Sequence, residues 1–391
     1  MQEISFDNIR NAFEYKSDGE INRAYWLFRV ISNNTLVKIG PKFMDAAIKL
    51  RLPVYGIIRA TLFKHFCGGE NIADCNKTIV QLAKFKVGSI LDYSVEGKEE
   101  ETEFDHSAAE IIATVERGKG DPDIPFCVFK VTGLARFALL EKVSEGTALT
   151  TIEAAEYSKV KQRVLNICQK AFDNNVPIFM DAEESWIQPA IDDLAVDMMQ
   201  QFNKERIIIY NTIQFYRHDR LQFLKDSYQH ANQHSYLLGI KLVRGAYMEK
   251  ERKRAADNGY TSPIQPDKVA SDIDYDAALK FCVEHINSMA IVAGTHNAES
   301  SMLLVHLMQQ HRIASNDKRI YFSQLLGMSD HISFNLAKAG FNVAKYVPYG
   351  PVAAVLPYLI RRAQENTSIS GQMGREVKLL LEEKKRRKGL S

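Results

Sequence analysis

The spacing of hydrophobic residues changes near residue 86 and divides the sequence into two parts. Before it, apolar residues recur at helical intervals, as in NRAYWLFRVI (22–31) and FMDAAIKL (43–50), and no strand-like alternation is convincing. The pattern therefore predicts an N-terminal helical region over residues 1–85 that covers the rest of the protein.

After residue 86, short runs rich in β-branched and aromatic residues alternate with longer amphipathic segments. Helical spacing is clear in segments 156–175, 275–289 and 300–313. This alternation is typical of a parallel sheet that closes into a barrel. The predicted strands are VGSILDYSV, FCVFKVTGL, VPIFMDAEE, RIIIYNTIQ, LLGIKLVRGAY, AIVAGTHN, RIYFSQLLGM and VAKYVPYG.

The pattern favours an α/β fold, a distorted (β/α)₈ TIM barrel, over residues 86–370. A C-terminal helix and basic tail follow over residues 371–391. An open, doubly wound sheet is the competing architecture. Neither G-x-G-x-x-G nor G-x-x-x-x-G-K-[ST] occurs in the sequence, so the phosphate-loop signatures of that architecture do not support it.

Polar residues gather at the predicted carboxyl ends of the strands, where the chemistry of such barrels takes place. Each has an ordinary structural explanation, for example a lysine that snorkels from a strand. So many coincidences at one face favour a functional site. The residues are Lys130, Asp181, Glu183, Glu184, Gln214, Lys241, Arg244, Tyr247, Thr295, His296, Asn297, Tyr346 and Tyr349.

The stretch YLIRRAQEN (358–366) places four polar residues on one face of a predicted helix. They are Tyr358, Arg361, Arg362 and Glu365, at positions i, i+3, i+4 and i+7. A charged face is usually solvated surface. Here the helix follows a strand and a tight turn, and the planar fork of arginine suits carboxylates, so an anion site is the alternative.

Composition restricts the function further. The chain of 391 residues is 46% hydrophobic and carries a formal net charge of +2, which gives no nucleic-acid footprint. Its five cysteines are scattered without a C-x-x-C pair, and no spacing typical of a metal site occurs. Without a leader or an uncharged run of membrane-spanning length, a cytoplasmic protein is expected. Peripheral contact with the inner face of a membrane is the alternative.

The balance of charge suggests two kinds of chemistry. The arginine pair, Lys130 and Lys241 would form a cationic pocket that Asp181, Glu365 and a small carboxylic acid could neutralise. Alternatively, Lys241 is the Schiff-base nucleophile of an aldolase. A non-catalytic barrel that binds an amino acid or a partner is the third interpretation.

Four stretches taken together resemble one family. They are KLVRGAY (241–247), GTHN (294–297), QLLGM (324–328) and YVPYGPVAAVLPYLIRRAQEN (346–366), and they look like the proline dehydrogenases. The resemblance runs from about residue 85 to residue 370 in strand order. Family members are flavoenzymes with a distorted TIM barrel that bind FAD without a Rossmann fingerprint.

The resemblance also implies roles for individual residues in binding proline. Arg361 and Arg362 would hold the proline carboxylate, with Glu365 and Tyr358 shaping the pocket. Lys130 would lie against substrate and flavin, Asp181 would pair with the closing arginine, and Leu325 would pack on the substrate ring. Tyr346 matches a tyrosine of enzymes that prefer proline, whereas a relative acting on hydroxyproline has a smaller residue there.

A second set of residues is implied to bind FAD. Lys241 and Arg244 would face the flavin, although some members carry the two residue types in the opposite order. The remaining members of the set come from the ends of strands four, five and six. The whole set is Gln214, Lys241, Val243, Arg244, Gly245, Ala246, Tyr247, Thr295, His296 and Asn297.

The implied reaction oxidises L-proline to Δ1-pyrroline-5-carboxylate, the first step of proline catabolism to glutamate. Hydride would pass from ring carbon C5 to flavin N5, with electrons continuing to a quinone. The chain is too short for a full aldehyde dehydrogenase module, so a separate pyrroline-5-carboxylate dehydrogenase is expected. The apolar and basic tail VKLLLEEKKRRKGLS (377–391) is interpreted as a frayed terminus or as a surface helix on anionic lipid.

Overall fold

The computed structural model of the chain contains a closed barrel of eight parallel strands in sequence order. It describes residues 4–31, 54–95, 99–368 and 372–389, so the predicted helix at 43–50 lies outside the described residues. The predicted (β/α)₈ barrel is confirmed. Its strands are β1 (Val87–Tyr93), β2 (Phe126–Phe129), β3 (Ile178–Met180), β4 (Ile209–Gln214), β5 (Leu238–Val243), β6 (Met289–Gly294), β7 (Ile320–Leu325) and β8 (Val343–Tyr349).

Helices separate the strands along the chain, as the amphipathic segments predicted. A capping box at Thr150 and Glu153 begins the longest of them, and Asn175 ends it in the left-handed conformation. The helices are α1 (Ile9–Phe13), α2 (Asp18–Ile31), α3 (Val54–Ile58), α4 (Ile72–Ala83), α5 (Glu101–Gly118), α6 (Phe137–Ser144), α7 (Thr151–Asn174), α8 (Gln188–Phe202), α9 (Arg220–Gln233), α10 (Met248–Asn258), α11 (Lys268–Glu284), α12 (Ala298–Gln310), α13 (Asp330–Lys338), α14 (Leu356–Ser368) and α15 (Gln372–Arg387).

The chain divides into two compact units. The terminal unit comprises the described residues of Met1–Ser89, Ser94–Glu96 and Gln324–Ser391. The central unit comprises those of Ile90–Tyr93 and Gly97–Ser323. The domain boundaries at residues 85 and 370 stay predictions.

Aromatic rings fill one face of the strands in the central unit. The ring centroids of Phe126 and Phe179 are 4.7 Å apart, and Tyr210 meets both rings edge to face. Side chains on a strand alternate between its two faces, so the residues two further along share the face of these rings. Lys130 and Asp181 continue that face beyond Phe126 and Phe179.

The terminal unit has its own hydrophobic core. Phe13 and Phe28 of the first two helices pack in one cluster with Leu359 of α14 and Leu380 of α15. Burying large apolar side chains on several elements stabilises their association at about 25 cal/mol per Å² of apolar surface. The cluster therefore holds the beginning and the end of the described chain in one unit.

The C-terminal helix corrects one interpretation of the sequence. The sequence predicts a frayed terminus or a lipid-contacting helix over residues 377–391, yet Leu380 is only 1% exposed. Glu383 is also buried and accepts hydrogen bonds from Arg386 and Arg387 at 2.6–2.8 Å. The frayed interpretation is wrong for this helix, because its apolar positions have a core to join. Among the residues described, no helix is long and apolar enough to cross a bilayer.

Gly239 of β5 tests the tight packing of the strands. A Cβ there would lie 2.5 Å from the Ile209 carbonyl oxygen and 2.7 Å from a side-chain carbon of Ile207. We expect Gly239→Ala to lower the free energy of unfolding by about 1–3 kcal/mol, because a backbone atom cannot move aside cheaply. Gly19→Ala in α2, where the added carbon meets nothing within 4 Å, is the control. Urea denaturation measures both, and equal stabilities would contradict the packing argument.

Candidate active site

Strand register brings Lys130, Asp181 and Lys241 into one site at the strand ends of the central unit. Phe129 pairs with Met180, and the next amide, that of Asp181, donates to the Phe129 carbonyl at 2.9 Å. Lys241, two strands along, forms an ion pair with the Asp181 carboxylate. Three of the predicted site residues therefore share one electrostatic environment, in which Lys130 also acts on Lys241.

The ammonium group of Lys241 is almost fully buried. Its side chain is 5% exposed, and Nζ lies 5.3 Å from the centroid of the Phe179 ring. Burial lowers the pKa of Lys241, while the carboxylates of Asp181 and Asp92 act in the opposite direction. A Schiff-base aldolase needs a free, nucleophilic amine. Here the Lys241 amine is engaged in the ion pair with Asp181.

Glu183 fixes the loop that follows Lys130. Its carboxyl group accepts hydrogen bonds from the amide of Thr132, at 3.0 Å, and from the Thr132 hydroxyl. Burial, with the nearby charge of Glu184, raises the pKa of Glu183 to about 8. The sequence placed Glu183 among the polar strand ends but assigned it no role; the run DAEE after a buried strand was the available signal.

Gln214 ends β4 with a polar atom that lacks a partner. The side chain is 1% exposed, and within the described part of the chain its Oε1 accepts no hydrogen bond. Leaving a buried amide oxygen unsatisfied costs about 1–3 kcal/mol, so such an atom indicates a group still to be bound. Gln214 thus fits a ligand that presents a hydrogen-bond donor.

Arg244 joins elements around the end of β5. Its guanidinium donates to Asp272 at 2.6 Å, to the Thr295 hydroxyl at 2.7 Å and to the Ser300 hydroxyl at 2.9 Å, and stacks on Tyr275. The sequence missed Asp272, because a carboxylate within a helix carries no signal of an arginine 28 residues away. Arg244 therefore also ties α11 and α12 to the strand ends.

Backbone geometry defines the rest of the predicted cofactor set. The carbonyl of Val243 accepts from the Phe215 amide at 2.8 Å, and Gly245 has φ +136° with Tyr216 packed against it. Asn297 caps α12, accepting at Oδ1 from the amides of residues 299 and 300. The other members, which lie in the loops after β5 and β6 and are partly buried, are Ala246, Tyr247 and His296.

The residues predicted to hold the substrate lie in the terminal unit. Tyr358 and Arg362 are buried, and the Arg362 guanidinium carbon lies 5.2 Å from the centroid of the Tyr358 ring. Arg361, next to it on α14, is partly buried. Tyr346 is buried in β8, and Leu325, partly buried, ends β7. The side chain of Glu365 lies outside the described residues.

Comparison with known proteins places this arrangement in a family. The family model described as Proline dehydrogenase matches residues 75–375. The chain belongs to the proline dehydrogenase family. The predicted family and the predicted class, an oxidoreductase of the proline dehydrogenase type, are both confirmed.

Relatives cover most of the chain. A carbapenem antibiotics biosynthesis protein, CarD, of Pectobacterium carotovorum subsp. carotovorum is 36% identical over 322 residues, 82% of this chain and 83% of the relative. Mitochondrial proline dehydrogenase 1 of Arabidopsis thaliana is 33% identical over 89% of this chain and 78% of its own length. Hydroxyproline dehydrogenase of Xenopus laevis is 31% identical over 96% of this chain and 88% of its own length.

Solved structures share the fold. Proline utilization A from Bdellovibrio bacteriovorus, in a form inactivated by N-propargylglycine, matches with a TM-score of 0.71 and 20% identity. The match covers 93% of this chain but only 39% of that much longer chain. Similarity at this level of identity supports the barrel of a proline dehydrogenase family member and nothing finer.

The titration of Glu183 gives a testable dependence of stability on pH. Its pKa of about 8 lies above the ordinary value of 4.5, so the folded protein keeps a proton that the unfolded chain releases between these values. Glu183 therefore contributes a free energy of unfolding that falls as pH rises, by up to about 1.4 kcal/mol per pH unit. We expect Glu183→Gln to flatten the fall in stability from pH 5 to pH 8, measured by urea denaturation. Parallel curves for variant and parent would contradict it.

Proposed function

We propose that the chain is an FAD-dependent enzyme that oxidises L-proline to Δ1-pyrroline-5-carboxylate. One observation carries this proposal: the stretch that matches the proline dehydrogenase family, residues 75–375, contains every residue assigned to the site. The family gives the reaction class, and the side chains at the strand ends give a chemistry consistent with it.

The central unit supplies a set of groups that fits a flavin. The unsatisfied Oε1 of Gln214 requires a hydrogen-bond donor. Lys241, on the adjacent strand β5, and Lys130, after β2, add positive charge at the strand ends. Gly245 leaves the end of β5 without a side chain. FAD bound there would supply the hydride acceptor for the reaction. The neighbouring members Val243, Arg244, Ala246, Tyr247, Thr295, His296 and Asn297 complete the proposed cofactor set.

The terminal unit supplies the proposed groups for the substrate. Arg361 and Arg362 would bind the carboxylate with charge-assisted hydrogen bonds, which are about twice as strong as neutral ones. Fixing the carboxylate orients the opposite side of the five-membered ring, so that C5 presents its hydrogen in a defined direction. Leu325, Tyr346, Tyr358 and Glu365 would form the walls of the substrate site.

The reaction removes a hydride and a proton from the ring. The C5–H bond breaks and its electron pair leaves with the hydride, which the flavin would take up. The ring nitrogen gives its N–H proton to water, and the electron pair of that bond forms the double bond between nitrogen and C5. The buried Lys241–Asp181 pair would keep the charge at the proposed flavin site fixed. The chain itself contributes binding, orientation and electrostatics.

Three further assignments stay predictions. They are a quinone as the electron acceptor, a separate pyrroline-5-carboxylate dehydrogenase as the enzyme that consumes the product, and a cytoplasmic location, with peripheral contact at the inner face of a membrane as the alternative. Hydroxyproline is the second candidate substrate, because one relative is a hydroxyproline dehydrogenase. Tyr346 is the residue predicted to favour proline.

The visible absorption spectrum of the purified full-length protein tests the proposal directly. We expect a yellow protein whose flavin absorbance bleaches when L-proline is added without oxygen, because the substrate reduces the cofactor. 4-Hydroxyproline, added in a parallel sample, should bleach it much more slowly. A colourless protein that takes up no added FAD would overturn the proposal. Bleaching by hydroxyproline but not by proline would identify hydroxyproline as the substrate.

The arginine pair provides a second test. Arg361→Met removes one guanidinium, so we expect the KM for proline to rise about tenfold to a hundredfold, the equivalent of ~1.5–3 kcal/mol for a charge-assisted hydrogen bond. FAD content should stay close to that of the parent. Lys378→Met, which removes an exposed charge from α15, is the control. Steady-state kinetics and flavin absorbance decide it; lost FAD with an unchanged KM would contradict the role.

A further inference from the structure

A lysine is completely buried on β8, directly before the predicted specificity residue. Lys345 is 0% exposed, and its Nζ donates to the carbonyl oxygens of Met328, at 2.7 Å, and Leu325, at 3.3 Å. Neighbouring side chains on a strand point to opposite faces, so Lys345 and Tyr346 lie on different sides of β8. The Lys345 ammonium group therefore binds the loop after β7 on the face of β8 opposite the Tyr346 side chain.

Asp330 at the start of α13 balances this charge. One carboxylate oxygen lies 2.8 Å from Lys345 Nζ, and the other accepts from Lys16 Nζ at 2.6 Å and from the Tyr15 hydroxyl at 2.7 Å. The Tyr15 ring stacks on Phe334 with centroids 4.2 Å apart. Residues from the start of the chain therefore share one carboxylate with a lysine of β8.

The loop itself is held at several further points. Gly327 and Ser329 have positive φ, +77° and +49°, and the Ser329 amide donates to the Glu376 carboxylate of α15 at 2.8 Å. His65 Nε2 lies 2.9 Å from the Gly327 carbonyl oxygen. Left-handed backbone at a residue with a side chain persists only where surrounding contacts enforce it. The segment 325–329 is thus built as a fixed structure.

Stability alone gives no reason for an ammonium group at position 345. Taking a charge out of water is costly, and replacing buried ion pairs by apolar residues of similar volume is often neutral or stabilising. A methionine would fill the same space, and Lys16 would still pair with Asp330. What methionine cannot provide is a donor for the carbonyl groups of Leu325 and Met328, and those two bonds are the distinctive contribution of Lys345.

We propose that Lys345, paired with Asp330, is a positioning residue that sets Leu325 against the substrate ring. The inference rests on the proposed function, in which Leu325 packs on proline. The Leu326 amide donates to the Tyr346 carbonyl at 2.9 Å, so the loop and the predicted specificity residue are joined through backbone. Lys345 contacts the loop through its bonds to the carbonyls of Leu325 and Met328, and it is bonded covalently to Tyr346 as the preceding residue of β8.

Kinetics of Lys345→Met test the proposal in the flavin-loaded full-length protein. The variant is expected to fold, because Lys16 still pairs with Asp330. We expect kcat/KM for proline to fall about tenfold or more as the substrate wall moves. Selectivity for proline over pipecolate, the homologue with a six-membered ring, should fall as well. A purely structural role would lower kcat/KM for proline and for pipecolate by the same factor and leave their ratio unchanged.

Lys16→Met is the matched control. It also removes one lysine from Asp330, but it leaves the bonds from Lys345 to Leu325 and Met328 in place. The ratio of proline to pipecolate should therefore stay at the parent value. Lys345→Gln, whose amide can still donate to one carbonyl, should give an intermediate ratio. Equal ratios in parent, Lys345→Met and Lys16→Met would overturn the proposal.

Leu325→Ala connects the kinetics to the loop. It should reduce the same selectivity, and combining it with Lys345→Met should add little, because both changes act through one contact. Full additivity of the two changes would overturn the proposal, since Lys345 would then act elsewhere.

Hydrogen exchange separates failure of this inference from failure of the proposed function. The amides of Leu326, Met328 and Ser329 in this segment donate to the Tyr346 carbonyl, the Leu325 carbonyl and the Glu376 carboxylate. We expect mass spectrometry to show faster exchange over residues 325–329 in Lys345→Met than in Lys16→Met. If the parent does not oxidise proline, the proposed function fails while this exchange comparison still decides the positioning role. Identical exchange in the two variants would overturn it.

Discussion

Each unit contains a lysine ammonium group that is buried on a strand and held by an aspartate. Lys241 pairs with Asp181 in the central unit, and Lys345 pairs with Asp330 in the terminal unit. A buried charge without a partner costs several kcal/mol, so strands, loops and helices around each pair have to keep the carboxylate in place. The position of Asp181 depends on the pairing of β2 with β3, whereas Asp330 depends on the turn that starts α13.

Hydrophobic periodicity was sufficient to predict the barrel. Seven of the eight predicted runs contain a whole strand of the structure, and the sixth misses only Met289, the first residue of β6. Each run is short, rich in β-branched or aromatic residues and followed by a polar end. Alternation along a strand also explains why the sequence could single out Lys130, Asp181, Gln214 and Lys241. These residues follow buried positions at intervals of two, and a parallel barrel brings such ends to one face.

Partners across long separations could not be predicted in the same way. The sequence suggested that Asp181 meets an arginine, and the structure adds an ion pair with Lys241, 60 residues away. No local pattern marks Asp272, which lies within a helix, or Lys345, which lies on the face of β8 opposite the predicted site residue Tyr346. Their burial depends on which surfaces meet in three dimensions, and local periodicity carries little information about that.

The C-terminal helix shows the same limit in another form. An apolar patch followed by a basic run, from Val377 onward, is compatible with solvent, lipid or a protein core. These three environments differ in what lies opposite the apolar positions. In the structure, Leu379 and Leu380 face the hydrophobic cluster that includes Phe13 and Phe28. The decisive partner is therefore a segment more than 350 positions earlier in the chain.

The shared carboxylate of Asp330 has a consequence for how the chain reaches its native state. Lys16 and Asp330 are 314 residues apart, so almost the whole polypeptide separates the two members of this contact. Closing so long a loop is entropically expensive, and contacts of high sequence separation slow folding. During synthesis, Lys16 emerges long before its partner exists. The first helices are therefore expected to stay partly ordered until α13 and α15 have been synthesised. The terminal unit is then the last to complete its folding.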